Sequence, residues 1–79
     1  MRILYFAQAR LATTLPEETL KTSTTLSAEK LWAELVRRHP KLATLQSSCR
    51  LARNGRFLSK GETLQPGDEI AVLPPVSGG

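Results

Sequence analysis

The residues with the most unusual chemical potential lie at the carboxyl end of the chain, in the sequence PPVSGG. Pro74 and Pro75 end the preceding apolar segment, because proline cannot donate a sheet hydrogen bond and favours an extended conformation. Gly78 and Gly79 have no Cβ atom, so they can pass through a narrow channel. Fully extended, six residues span about 20 Å. The pattern therefore predicts a flexible tail that can reach into the cleft of a partner.

The reactive group of such a tail would be the α-carboxylate of Gly79. With a pKa of about 3.5, a free α-carboxylate is anionic and unreactive at neutral pH. Activation as an acyl-adenylate would make it electrophilic, and replacing the adenylate by sulfur would give a thiocarboxylate, a soft nucleophile. The two glycines alone do not require this chemistry, because chain termini are often frayed and rich in small residues. On the dipeptide alone, a frayed end is the favoured interpretation.

Other residues that could do chemistry have no visible partners. Cys49 is the only cysteine and His39 the only histidine, so an internal disulfide is excluded and a four-ligand zinc site cannot be completed. We interpret Cys49 as a small packed or loop residue and His39 as a cation at a helix C-terminus. Asp68 and Glu69 are typical of a turn and a strand start. No metal site is expected.

Charge and composition argue against nucleic acid and membrane. The formal net charge is +4, but the eleven basic residues never form a run longer than two, and four aromatic residues offer no stacking platform for bases. The apolar run at the N-terminus is too short for a signal peptide or a membrane span. A cytoplasmic location follows as the prediction. A chain of 79 residues makes one domain with a modest core.

Hydrophobic patterning predicts the elements that must position the tail. A strand at 2–7, apolar on both faces, is expected inside a sheet. The clearest helix covers 28–39, with Ser27 as its N-cap and Pro40 as its stop. Asn54-Gly55 is typical of a type I′ hairpin turn. The remaining predictions are a helical turn at 8–11, a strand at 18–23, a short helix at 41–46, strands at 50–53 and 56–58, a type II turn at Pro66-Gly67 and a strand at 68–73.

This order of elements predicts an α+β fold. One main helix should pack on one face of a mixed sheet of about five strands, with the last strand parallel to the first. The expected organisation is a domain over 1–73 followed by the tail over 74–79.

Several segments together resemble the MoaD family, the small sulfur-carrier subunits of molybdopterin synthase. The resemblance spans essentially the whole chain. Its most specific part is PPVSGG after an apolar strand, followed by the segment FAQAR near the N-terminus, with Asn54-Gly55 and the stretch GDEI as further matches. Arg53 stands where relatives often carry an aliphatic residue. The resemblance implies a ubiquitin-like β-grasp fold.

It also implies a function. The Gly79 carboxylate would be adenylated by an ATP-dependent enzyme and converted by a sulfur donor to a thiocarboxylate. The large catalytic subunit, in a two-plus-two heterotetramer, would then take the sulfur for molybdopterin from a cyclic pyranopterin precursor. The chain itself would be a non-catalytic subunit with no permanently bound cofactor. The resemblance assigns partner binding to an apolar patch with one polar neighbour and the start of the tail: Phe6, Arg10, Phe57, Leu73, Pro74 and Pro75.

Two other hypotheses remain open. Carriers for thiamine synthesis or tRNA thiolation also end in two glycines. A ubiquitin-like binding module without terminal chemistry is the alternative from a different functional class.

Overall fold

The computed structural model of the chain describes residues 1–75. The elements, in chain order, are β1 (Arg2–Tyr5), α1 (Ala7–Thr13), β2 (Glu17–Thr19), α2 (Ala28–Arg38), a 3-10 helix (Pro40–Thr44), β3 (Arg50–Arg53), β4 (Arg56–Phe57) and β5 (Glu69–Leu73). No helix in this part of the chain is long and apolar enough to cross a membrane.

The strands form one mixed sheet in the order β2-β1-β5-β3-β4. β5 runs parallel to β1 and antiparallel to β3, and the other neighbours are antiparallel. The core lies between one face of this sheet and α2. Its fully buried side chains include Ile3, Leu31, Leu35, Ile70 and Val72. The predicted α+β, β-grasp architecture with a parallel first and last strand is confirmed.

The sequence of α2 explains its position and its ends. The Ser27 side chain accepts a hydrogen bond from the Lys30 N–H at 3.1 Å, as expected for an N-cap. Leu31, Trp32 and Leu35 are the buried residues of the helix and lie on the side that faces the sheet. The helix ends at Arg38, one residue before the predicted end. The reason is Pro40, which disfavours a helical conformation at the residue before it. That residue, His39, has a φ of −133°, outside the helical region.

Of the two turns whose types were predicted, one has the predicted type and the other does not. Asn54 and Gly55 have φ values of 51° and 86°, which confirms the type I′ turn. The turn at Pro66-Gly67 exists, because the Asp68 N–H donates to the Gln65 carbonyl at 3.0 Å. Gly67 does not have a positive φ, so the prediction of type II was wrong.

The segment between β1 and α2 also differs from expectation. α1 covers seven residues instead of one turn, because Ala9 and Thr13 are buried and the Thr13 hydroxyl donates to the Ala9 carbonyl at 3.1 Å. β2 covers three residues instead of six. It pairs antiparallel with β1, so the predicted strand is present but shorter.

A charged cluster fixes the end of the sheet opposite the tail. The Asp68 carboxylate accepts hydrogen bonds from Arg53 Nε at 2.6 Å, Asn54 Nδ2 at 3.0 Å and the Gln65 N–H at 2.7 Å. Its side chain is only 8% exposed. Arg53 also reaches Glu62 at 2.9 Å. Arg53 therefore has a structural role, since it pairs with two carboxylates.

Replacing Asp68 should destabilise the fold. In Asp68→Asn the Arg53 guanidinium keeps its position but loses a buried anionic partner, at a cost of about 2 kcal/mol in the free energy of unfolding. Glu69→Gln is the matched control, because the neighbouring Glu69 pairs with Arg2 on the surface, where an ion pair contributes little. Urea unfolding of the three proteins tests this. Equal losses from the two substitutions would contradict the assigned role of Asp68.

The same cluster predicts a dependence on pH. Burial alone would raise the pKa of Asp68, but hydrogen bonds from the Gln65 N–H, Arg53 and Asn54 outweigh it, and the pKa lies below its ordinary value. An unfolded Asp titrates near pH 3.9, so the stabilisation is present above about pH 4 and is lost as the pH falls through the lower folded pKa.

We expect the difference in unfolding free energy between wild type and Asp68→Asn to be constant from about pH 5 to 7 and to shrink below about pH 4. Comparing the two proteins at each pH matters, because Glu62 titrates too. Hydrogen bonds from Arg56, the Ser59 N–H and Arg53 lower the pKa of Glu62 to about 2. A difference that stays constant through acid unfolding would show that the Asp68 charge is not what stabilises the cluster.

Candidate functional site

The face of the sheet opposite α2 carries a continuous apolar row. The strand registers place Leu4 beside Ala71, Ala71 beside Ala52, and Ala52 beside Phe57. Side chains on a strand alternate between faces, so this row lies opposite the core residues of the same strands. We call this surface the open sheet face. It comprises Leu4, Phe6, Ala52, Phe57, Ala71 and Leu73.

Phe6 and Leu73 come together where the tail begins. Tyr5 pairs with Val72, and Phe6 continues the extended backbone of β1 with φ −123° and ψ 153°. The next position along each strand therefore brings Phe6 beside Leu73. Phe6 is 45% exposed and Leu73 is half-buried. The sequence prediction that these two residues share a surface agrees with this geometry.

Pro74 and Pro75 lead directly away from this point. Pro74 is half-buried and Pro75 is exposed, and both follow the last residue of β5 without further strand structure. The predicted end of the sheet at the prolines is therefore in place. Gly78 and Gly79, the predicted reactive end, lie outside the described residues.

Phe57 occupies the same face but a different part of it. It is 49% exposed on β4, which is three strands away from β1, a separation of about 14 Å at the usual strand spacing. Phe57 and Phe6 are thus two ends of one surface and not a single contact cluster. The Arg50 guanidinium carbon lies 3.6 Å from the centre of the Phe57 ring.

Arg50 was missed as a site residue by the sequence analysis. The pattern that could have found it is the predicted hairpin around Asn54-Gly55. That hairpin places Arg50 on the same face as Ala52 and diagonal to Phe57, within reach of a long side chain. The pairing of Arg50 with Leu73 depends on β5 and could not be predicted locally.

α1 contributes Arg10 and a further exposed apolar residue, Leu11. The Arg10 N–H donates to the Phe6 carbonyl at 3.3 Å, so Arg10 lies one turn beyond the open sheet face. Leu11 is 77% exposed and borders a shallow concave surface with Arg10 and Thr14. The sequence did not single out Leu11, because a leucine in a short helix is expected to face the core. Ala9 and Thr13 face the core instead.

Glu18, Tyr5 and His39, which lie away from this face, interact with one another. His39 Nε2 lies 2.7 Å from Glu18 Oε1, which also accepts a hydrogen bond from the Tyr5 hydroxyl. Burial would raise the pKa of Glu18, but hydrogen bonds from Tyr5 and His39 outweigh it and the pKa is lowered. His39 therefore acts as the helix cap and the partner of Glu18.

Cys49 and the carboxylates do not assemble a reactive centre in the described part of the chain. Burial raises the pKa of the Cys49 thiol, which favours the unreactive protonated form. Within residues 1–75, no group of three or more His, Cys, Asp and Glu side chains could hold a metal ion. The arrangement is suited to binding, since it presents exposed apolar side chains on a rigid sheet beside the start of the tail.

Comparison with known proteins places this geometry in context. A family model described as the ThiS family matches residues 3–79. The chain is 39% identical over 82 residues to the molybdopterin synthase sulfur carrier subunit of Homo sapiens, covering 100% of this chain and 93% of that protein.

Solved structures agree on the fold. SAMP1 from Haloferax volcanii superimposes with a TM-score of 0.82 at 26% identity, covering 99% of this chain and 97% of that chain. The complex of subunits 1 and 2 of the molybdopterin-converting factor from Helicobacter pylori contains a chain with a TM-score of 0.67 at 23% identity, covering 99% and 96%. The latter similarity bears on the fold alone. The human relative confirms the resemblance to the MoaD family. Because the family model spans nearly the whole chain, this chain belongs to the ThiS family.

Proposed function

We propose that this chain is the sulfur carrier for molybdopterin synthesis and that Gly79 is the residue that carries the sulfur. The observation behind the proposal is the similarity to the human sulfur carrier subunit, which extends over the whole of this chain, including residues 76–79. The proposed partner is the large catalytic subunit of molybdopterin synthase, in a two-plus-two heterotetramer. The human relative is named as a subunit of molybdopterin synthase, which supports that choice.

The proposed chemistry takes place at the terminal carboxylate. An oxygen of the Gly79 carboxylate attacks the α-phosphorus of ATP on a separate adenylating enzyme, and pyrophosphate leaves. A donor that supplies sulfur at the oxidation level of sulfide then displaces AMP and forms the thiocarboxylate. In the large subunit the sulfur passes to cyclic pyranopterin monophosphate, and water restores the carboxylate. Each terminal carboxylate carries one sulfur. Forming one dithiolene therefore uses two chains in the thiocarboxylate form, which we call charged chains.

The open sheet face would supply the affinity that the tail cannot. Ordering a tail residue costs on the order of 1–2 kcal/mol of backbone entropy, so insertion of the tail alone is unfavourable. Phe6 and Leu73 lie where the tail begins, and burying such side chains under a partner would offset that cost. The cytoplasm is the proposed place of action, since it supplies ATP and keeps a single free cysteine reduced.

The other pathways use the same terminal chemistry. A carrier for thiamine synthesis or tRNA thiolation would also be adenylated and thiocarboxylated, and would differ in the protein that receives the sulfur. A ubiquitin-like module without terminal chemistry would bind partners but never be charged. The name of the human relative favours the molybdopterin pathway.

The length of the tail should be critical for charging. Deleting Gly79, or adding one alanine after it, should abolish thiocarboxylate formation. Either change moves the terminal carboxylate by one residue, so it no longer lies at the α-phosphorus in the activating enzyme. Intact-mass analysis after incubation with ATP, the adenylating enzyme and a sulfide donor measures this. Ser77→Ala is the control, since it keeps the length and the terminal glycine and should be charged normally. Normal charging of either length variant would refute the role of Gly79.

The open sheet face should be required for binding the large subunit. Phe57→Asp places a carboxylate on this face and should weaken binding at least about 10-fold, with little change in unfolding free energy because Phe57 is half exposed. Arg10→Glu should give a smaller loss that depends on salt. Calorimetric titration with the purified large subunit measures both.

The control for this experiment is Ala33→Asp, which adds the same charge to the exposed side of α2. Its affinity should match that of the wild type. Unchanged affinity of Phe57→Asp would mean that the docking face is elsewhere. Equal losses from Phe57→Asp and Ala33→Asp would indicate nonspecific electrostatics.

A further inference from the structure

Two of the seven arginines differ from the other five in their partners. The five others form ion pairs with carboxylates; they are Arg2, Arg37, Arg38, Arg53 and Arg56. Within residues 1–75, Arg10 and Arg50 form no ion pair with a carboxylate. Both side chains are exposed.

These two arginines belong to different elements near the end of the strand that leads into the tail. Arg50 pairs with Leu73, the last residue of β5, from the β3 side. Arg10 belongs to α1, which follows β1 on the other side of β5. At the end of the sheet opposite the tail, Arg2 pairs with Glu17 and Glu69.

Arg50 is already held in position for a further contact. Its guanidinium lies over the Phe57 ring at 3.6 Å, an attractive cation–π contact. Stacking uses the face of the guanidinium and leaves its N–H donors, which point outward in its plane, for a second partner. Holding the side chain on the ring also reduces the rotamer entropy that binding would otherwise cost.

We propose that Arg50 is a docking residue that pairs with a carboxylate on the large subunit at the edge of the open sheet face. The inference rests on the proposed function and specifies the chemistry of the partner. Arg50, Phe57 and Leu73 would form one site, in which an apolar surface of the partner covers Phe57 and Leu73 while an Asp or Glu at its margin binds Arg50. Arg10, one turn beyond Phe6, would hold a second acidic group.

The geometry favours a protein carboxylate over a phosphate or nucleic acid. A phosphate site requires several donors that converge on one point, whereas Arg50 lies over Phe57 of β4 and Arg10 borders Leu11 and Thr14 at α1. Arg50 also borders apolar side chains, which is the usual surrounding of an arginine at a protein interface. Planar pairing of guanidinium with carboxylate gives such a contact its specificity.

Affinity for the purified large subunit tests the proposal. Arg50→Ala should weaken binding about 10-fold and Arg50→Glu about 50-fold or more. Arg50→Lys should lie between wild type and Arg50→Ala, because lysine keeps the charge but loses the stacking and the planar donors. Lys30→Glu is the matched control, since Lys30 is an exposed cation on α2 and its reversal should change affinity less than about 2-fold.

A second measurement identifies the partner group. Each Asp and Glu on the large subunit is replaced by Ala and titrated against wild type and Arg50→Ala. One acidic residue should show a loss with the wild type that disappears with Arg50→Ala, the expected result for a direct pair. Failure of every acidic residue to couple with Arg50 would overturn the assignment of a protein carboxylate.

The outcomes separate this inference from the proposed function. If Arg50 only shields Phe57 in the free chain, Arg50→Ala should bind as well as the wild type or more tightly, and that result would overturn the inference while leaving the sulfur carrier intact. If the wild type itself does not bind the large subunit, both fall. Urea unfolding of each variant confirms that it is folded.

Discussion

The structure depends on β5 being hydrogen-bonded on both sides, parallel to β1 and antiparallel to β3. This strand must satisfy three requirements at once. Ile70 and Val72 complete the core under α2, Ala71 and Leu73 complete the open sheet face, and the chain leaves the sheet from its last residue. A shift of register by one residue would exchange the two faces, so the register must be strongly specified. The Asp68 cluster does this at the start of the strand, where Arg2 N–H also donates to the Asp68 carbonyl at 3.0 Å.

This arrangement presents an apolar binding surface beside the start of the proposed sulfur-carrying tail. Within residues 1–75, every buried polar side-chain atom has a hydrogen-bond partner. The large exposed apolar side chains in the same part of the chain lie on the open sheet face and on α1. A domain of this size has little volume for an enclosed catalytic cleft. A carrier does not need one, because its partners supply the catalytic groups and the domain supplies recognition. The two prolines then set the direction in which the tail leaves.

Most of the fold could be predicted because its determinants are local. The cap at Ser27, the apolar stripe of α2 and the Asn54-Gly55 turn each lie within a few residues of the structure they specify. The elements that were mispredicted depend on distant contacts. α1 is longer because Ala9 and Thr13 pack in the core. The Pro66-Gly67 turn is not of type II, and it is held by the Asp68 carboxylate, which Arg53 and Asn54 bind from the distant hairpin. The site follows the same division: the resemblance assigned Phe6 and Leu73 and the parallel first and last strands bring them together, whereas the pairing of Arg50 with Leu73 required the register between β3 and β5.

The location of sulfur on the charged chain is the most direct test of the account. The wild-type chain would be charged with ATP, the adenylating enzyme and a sulfide donor, and its C-terminal peptide fragmented in a mass spectrometer. The account predicts one sulfur in place of one oxygen at Gly79, and its loss when the large subunit and the pyranopterin precursor are added. Sulfur found on Cys49, or retained on Gly79 after both are added, would contradict it.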